Sequence, residues 1–501
     1  MATTKLSRKS LSQITSASVN KPPEELFNLP ERIVQFGTGV LLRGLCDYHV
    51  HLSNLKGVFN GTIVVVKSTS VGDTAAFEQQ DNLYTICVRG MHNEQIVSEN
   101  IICAAISRVM SAASQWKEIL SIAQSPEISA VVSNTTEVGL QLVKESIHQE
   151  PPASYPAKLL AFLYSRYKAF DHEGGGELAV IPTELITGNG EKLKKIVIEL
   201  AVFNELDTHF MNWMERNVFF CNSLVDRIVT KDPGEKLINE LHSELGYTDD
   251  LLTMCEDYHL WAIEGGSEVK RLLSFAGEEG GAFVSEDIEI FRALKLHLLN
   301  GTHTLSASLA YLAGFDTVKQ AMNNEVFRNF VENLMLDEIA SAMPVEIDPA
   351  EKMRFGKKVI DRFRNPFLEH QWLNITLQNT TKMRMRNLPV LQQSQQLNKI
   401  PWRMATGFAA YILFMKGVKS EGGSIFGERN GNMYRIADDH AQFFFHLWQN
   451  TSAIDGIVTA VLQNTSLWGA DLSTYTSFAD MVKEKLTSMV NDGVAATLNL
   501  K

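Results

Sequence analysis

Lys295, Asn300 and His303 stand among leucines in the stretch KLHLLNGTH, residues 295 to 303. An amine, a carboxamide and an imidazole can all hydrogen-bond to one oxygen, and the first and last can exchange a proton with it. On an α-helix Asn300 lies about 140° around from Lys295 and His303 about 80°, so all three share one side. They can converge on a ligand, or they can form a polar flank facing water.

A second group is made of glycines. Gly37, Gly39 and Gly44 follow the apolar run ERIVQF, giving GxGxxxxG where the usual spacing is GxGxxG. An apolar helix pattern continues through Leu52, and the β-branched run GTIVVVK follows at 61 to 67. Glycines between a strand and a helix let the backbone approach a pyrophosphate, which the helix N-terminus attracts through its unpaired N–H groups. A dinucleotide site is one reading and a purely structural turn the other. The second strand ends in Lys67 and Ser68 where an acid usually holds the ribose hydroxyls of NAD, so NADP stays open as the cofactor.

These groups need elements to hold them. The runs at 31–36, 61–67, 129–133 and 177–182 alternate with helical stretches such as SYPAKLLAFLYSRY at 154–167, which is a βαβ series and implies a parallel sheet. Beyond GEEGGAF at 277–283, a candidate linker, the periodicity is helical. Val326, Phe327, Phe330, Val331, Leu334 and Met335 form an apolar stripe of the kind that packs a core. The expected organisation is a flexible arm at 1–29, an α/β Rossmann-like dinucleotide-binding domain at 30–283 and a mostly α-helical domain carrying the substrate chemistry at 284–501.

Composition excludes several classes. The formal charge of −12 disfavours nucleic acid and anionic membrane as partners, since both need a basic face. The apolar run FAAYILFM at 408–415 is far shorter than the ~20 residues of a membrane span. Five cysteines without metal-type pairing point to reduced thiols in a cytoplasmic setting, with neither a disulfide framework nor a metal site. The oligomeric state is left open, a monomer included.

The Lys-x4-Asn-x2-His pattern behind a glycine-turn nucleotide domain resembles the signature of the long-chain mannitol dehydrogenase family of polyol and sugar-acid oxidoreductases. Nine segments carry the likeness in order over roughly residues 30 to 420: PERIVQFGTGVLLRG, DNLYTICVRG, SNTTEVG, SYPAKL, PTELITGNG, SLVDRIV, LNGTHT, RFRNPF and TKMRMRNLP. The resemblance implies a two-domain enzyme with its active site in the cleft between the α/β and helical halves, using NAD and no metal. It implies Lys295 as general acid and base, with Asn300 and His303 polarising the reacting oxygen. Cofactor contacts are expected at Phe36, Gly37, Thr38, Gly39, Lys67, Asn134 and Thr135, and substrate contacts at Asn189, Asp226, Lys382 and Arg386. Glu137 is either a cleft acid or a loop acid.

The chemistry fits those roles. When a ketone is reduced, negative charge grows on its oxygen, and an ammonium beside two hydrogen-bond donors stabilises that charge and delivers the proton. In the reverse direction the amine must first shed its proton, which burial or a positive neighbour favours, and Arg292 is the candidate neighbour. Asn374 stands where the mannitol-oxidising members resemble one another in carrying an Arg, which puts a simple polyol in doubt. A sugar acid needs a carboxylate partner, for which Arg89, Lys382, Arg384 and Arg386 are the basic candidates. The expected reaction is the reversible NADH-dependent reduction of D-tagaturonate to D-altronate. Fructuronate or a polyol is the rival substrate, and a non-catalytic dinucleotide sensor is the alternative of another class.

Overall fold

In the strand Glu31–Phe36 alternate side chains point to opposite faces, so Ile33 enters one apolar core while Val34 and Phe36 enter another. The strand Thr62–Lys67 divides in the same way, with Ile63 and Val65 on the first side and Val64 and Val66 on the second. A strand buried on both faces reads as an unbroken apolar run, which is why these segments stand out in the sequence.

The computed structural model describes residues 4–69, 74–135, 137–170, 176–230, 234–277 and 281–498, with the backbone alone at residue 137. By the clustering of its contacts the chain forms two units, residues 1–89 with 97–288, and residues 90–96 with 289–501.

The first unit is built on six strands: β1 Glu31–Phe36, β2 Thr62–Lys67, β3 Ile106–Ser111, β4 Ala130–Ser133, β5 Leu178–Pro182 and β6 Val218–Phe220. Every pairing between them is parallel, and the spatial order is β3-β2-β1-β4-β5-β6. That is the order of the doubly wound dinucleotide-binding sheet, in which the chain turns from one direction to the other between its first and fourth strands. The helices Ala112–Ile122, Tyr155–Phe170, Asn189–Phe203 and Thr208–Asn217 supply the core on the face of Val34 and Phe36.

Hydropathy did not mark a second sheet in this unit, ordered Val19–Asn20, Gln95–Cys103, Tyr84–His92, Thr253–Glu256, Val229–Thr230. Its first member corrects the expectation of a loose arm at 1–29. Val19 and Asn20 pair in parallel with Asn100 and Ile101, and Leu6, Ile14 and Val19 are buried with Leu83, Ile102 and Tyr247. Three well-spaced apolar anchors hold a segment whose average composition is polar. The division between units falls after Ile288, later than the glycine-rich stretch, because Ala282–Ser285 is itself a strand paired with Leu260–Glu264. Residues 278–280 lie outside the described ones.

The second unit is mostly helical. FAAYILFM lies in the helix Trp402–Phe414, whose Gly407 sits so near the helix Thr302–Leu312 that a Cβ there would lie 2.6 Å from the Leu305 carbonyl oxygen. Glycine lets the two backbones meet, which fixes the helix bearing His303 against the core. In the apolar stripe Phe327, Phe330, Val331, Leu334 and Met335 are buried, but Val326 is 42% exposed. The unit also carries an antiparallel meander, Lys419–Glu421, Ser424–Arg429 and Asn432–Ile436. Among the described residues no helix is long and apolar enough to cross a membrane, and all five cysteines are buried and unpaired.

Candidate active site

The glycine turn lies where β1 stops. Gly37 adopts φ +133°, its N–H donates to the Val66 carbonyl at 3.1 Å, and a Cβ there would lie 3.2 Å from the Asn134 carbonyl oxygen. Only glycine combines that φ with that approach. The loops after β1 and β4 are thereby brought together where the strand order reverses, and a helical path opens at Gly39 and runs to Leu55. Around the Gly39 Cβ position nothing lies within 4 Å, and Gly39 is exposed.

Other expected cofactor residues are placed with varied freedom. The ring of Phe36 is buried against Tyr155 and its carbonyl accepts from the Asn134 N–H at 3.3 Å, while Thr38 is half-buried. Lys67 is buried and its amine donates to the Thr69 carbonyl at 2.5 Å. Asn134 donates to Thr183 Oγ1 at 2.9 Å, and Thr135 gives both its N–H (2.7 Å) and its hydroxyl (2.9 Å) to Glu184. Glu184 also receives Ser133 Oγ at 3.2 Å, and burial pushes its carboxyl above the ordinary Glu range. Sequence reasoning missed this brace, although Glu184 stands inside the quoted PTELITGNG. The side chain of Glu137 lies outside the described residues.

Two of the expected substrate contacts belong to the first unit. Asn189 is held by its surroundings. At 1% exposure its amide nitrogen faces the carbonyls of Pro182, Glu184 and Ser223, and its oxygen accepts from the N–H groups of Gly190 and Ser223. This carboxamide ties the end of β5 to the strand Ser223–Asp226. Asp226 ends the strand Ser223–Asp226, half-buried. Arg89 is spent in the same manner, on the carbonyls of Val88 and Glu99 and on Asn100 Oδ1.

The Lys-Asn-His group lies in the second unit on one continuous helical path, but the winding changes along it. Glu289–Leu294 is α-helical, Lys295–Gly301 is a π-helix and Thr302–Leu312 is α-helical again. In π winding a carbonyl bonds to the N–H five residues on, so Lys295 and Asn300 lie roughly 50° apart around the axis instead of about 140°. Both side chains are half-buried. Arg292, the expected positive neighbour, is paired with Glu289 at 2.9 Å, which weakens its field at the lysine.

His303 is buried, its ring stacked on Phe363 with centroids 3.9 Å apart and met edge-on by His370 and Trp372. Burial first, then the positive field of His370, Arg362, Arg386 and Lys382, holds this imidazole well below the ordinary His pKa, so it is neutral. Its Nε2 is a buried polar atom with no hydrogen-bond partner among the described residues. Such an atom is costly unless a ligand completes it.

A second π-helix, Met383–Asn387, supports the first. Asn387 donates to the Gly301 carbonyl at 3.0 Å, His297 Nδ1 donates to the Arg386 carbonyl at 2.7 Å, and Arg386 Nη1 donates to Thr304 Oγ1 at 3.1 Å. Thr304 in turn donates to the Asn300 carbonyl at 2.8 Å. Lys382 donates to the Ile375 carbonyl at 3.0 Å. Arg384 is exposed, its guanidinium near Gly469. His297 and Asn387 were not singled out in the sequence, though both lie within segments that carried the resemblance or beside them.

Fold and site together are those of a two-part polyol or sugar-acid dehydrogenase, and the chain belongs to the mannitol dehydrogenase family. The family's Rossmann domain model matches residues 31–274 and its C-terminal domain model matches residues 287–490. Among individual relatives, the altronate oxidoreductase of Halalkalibacterium halodurans is 36% identical over 481 residues, covering 94% of this chain and 93% of that protein. The altronate oxidoreductase of Yersinia enterocolitica is 34% identical over 478 residues, covering 94% and 96%. The fold is shared with mannitol 2-dehydrogenase of Pseudomonas fluorescens, solved as a ternary complex with NAD and D-mannitol, at a TM-score of 0.64, 22% identity and 99% coverage of both chains.

Proposed function

We propose that this chain is an altronate oxidoreductase, catalysing the reversible NADH-dependent reduction of D-tagaturonate to D-altronate. Support comes from relatives of that name that match along nearly the whole chain, and from a helix presenting an amine, a carboxamide and a neutral imidazole. The observation that carries the chemistry is the unpartnered Nε2 of His303, a buried donor or acceptor waiting for an oxygen.

The nucleotide is held by the loop of Asn134 and Thr135 and at the turn Gly37, Thr38, Gly39, whose exposed Gly39 leaves room for a pyrophosphate. When bound, the nicotinamide supplies or accepts the hydride. The protein's share is the fate of the oxygen. In reduction Lys295 gives its proton to the oxygen as the carbonyl becomes an alkoxide, while Asn300 and His303 donate hydrogen bonds to the developing charge. In oxidation the neutral amine takes the hydroxyl proton. A neutral imidazole suits this place, since it donates one hydrogen bond without competing as a proton source. Lys382 contacts the sugar hydroxyls. The enzyme works in the cytoplasm, in keeping with five thiols left unpaired.

NADH oxidation measured with tagaturonate, fructuronate and fructose, and repeated with NADPH, tests the reading. Tagaturonate with NADH should give the highest kcat/KM. Preference for fructuronate or fructose would assign a different family member's reaction, and tight NADH binding without turnover on any of the three would make the chain a sensor.

A further inference from the structure

The second unit gathers positive charge around His303. Arg386, Lys382, Arg362 and His370 all depress its imidazole, and Arg386 and Lys382 are lowered by their own burial, Lys382 also by Arg386. Among the described residues neither Arg386 nor Lys382 forms an ion pair. One acid, Asp438, acts on Lys382 from beyond ion-pair distance, and its carboxylate is already taken by the N–H and hydroxyl of Thr380 and the N–H of His440. Desolvating cations without partners costs free energy, and in a chain of net charge −12 acids are not scarce. Such an arrangement is what an incoming anion completes.

Of the four basic candidates only Arg386 has both the position and a free planar fork. Arg89 is consumed by three acceptors, Arg384 is exposed beside Gly469, and Lys382, whose amine bonds the Ile375 carbonyl, keeps donors but is a point charge without the fork that matches a carboxylate. Arg386 uses one N–H on Thr304 Oγ1, and Thr304 is bonded to the Asn300 carbonyl. Its guanidinium is therefore moored to the turn that bears Asn300 and His303. A guanidinium carries five N–H donors, so a pair remains for both oxygens of a carboxylate. The geometry points to Arg386 as the residue that binds the substrate's carboxylate and sets sugar acid above neutral sugar. This assignment rests on the proposed uronate reaction and names the group that recognises the acid.

Two variants, Arg386→Gln and Arg386→Lys, test it. The ratio of kcat/KM for D-tagaturonate to that for the neutral ketose D-tagatose should fall ~30-fold or more in R386Q and by less in R386K, which keeps a charge but not the fork. Equilibrium titration with D-altronate and with the neutral hexitol D-altritol should show weakened binding of the acid alone. A ratio unchanged in R386Q, or equal loss on both sugars with an unaltered melting temperature, overturns the assignment. If the wild-type enzyme turns over no keto-uronate, the proposed reaction fails, and the titration still judges the site. An altronate preference that depends on Arg386 sustains it, and no such preference sinks it.

Discussion

Stacking on Phe363 does two things for His303: it fixes the plane of the ring and removes the water that would stabilise a charge on it. In the proposed mechanism this neutral, oriented imidazole and the Asn300 carboxamide act as preorganised donors, and preorganisation is where such sites gain most of their effect. Loss of either donor, in Asn300→Ala or His303→Ala, should raise the barrier by about 2.7–4 kcal/mol, read as a fall of roughly a hundredfold or more in kcat with NADH affinity retained. Steady-state kinetics decide this, and losses under about tenfold would make the two residues packing groups. The types and spacing of Lys295, Asn300 and His303 were legible because reactive side chains among leucines are conspicuous. The bracing role of Asn189 was not legible for a physical reason: a turn asparagine that binds a ligand and one that braces two strands have the same letter, and its five backbone contacts appear only in the fold. Glu184 was invisible for the converse reason, since nothing in PTELITGNG says that the acid folds back onto residues 133–135.

At the scale of elements, winding matters more than composition. The parallel strands were readable from their apolar runs, but the π-helix at Lys295–Gly301 was not, and it brings Lys295 nearer to Asn300 around the axis. Another such winding, Arg43–Asp47, follows the glycine turn and buries Asp47, which accepts from Tyr84 at 2.6 Å. Burial raises the Asp47 carboxyl to about 7, against the lowering pull of Tyr84 and Arg43. The folded chain then holds a proton that the unfolded chain has lost between about pH 4 and pH 7, so this residue's contribution to stability declines as pH rises through that window. Asp47→Asn should therefore raise the melting temperature relative to wild type more at pH 8 than at pH 5. Equal shifts at both values would mean that Asp47 does not titrate in this way. Packing makes a second demand, at Gly407. Gly407→Val would press a branched side chain onto Leu305 and should cost about 1–3 kcal/mol in denaturant unfolding. An unchanged unfolding midpoint would show that the two helices can part without loss. One element was legible and overlooked: Asn430 and Gly431, both with positive φ, turn a hairpin in a stretch read as helical.

For the whole molecule, the sequence shows two kinds of periodicity and the structure shows two units, the first organised by a doubly wound sheet and the second by helices around the site. The packed N-terminal segment escaped the sequence reading because its strand is short and pairs far along the chain, Val19 with Asn100, while the nine-residue neighbours Tyr84–His92 and Gln95–Cys103 turn at Asn93 and Glu94 without a glycine to mark a hairpin. The proposed mechanism assigns the units two separately measurable quantities, cofactor affinity to the glycine turn and proton transfer to the Lys295 helix. The Lys295→Ala variant, assayed for NADH dissociation constant and for single-turnover reduction of tagaturonate, probes that division most directly. NADH affinity should stay near wild type while the rate of reduction falls by ~10²-fold or more. A rate near that of wild type would contradict the account, because some other group would then be supplying the proton.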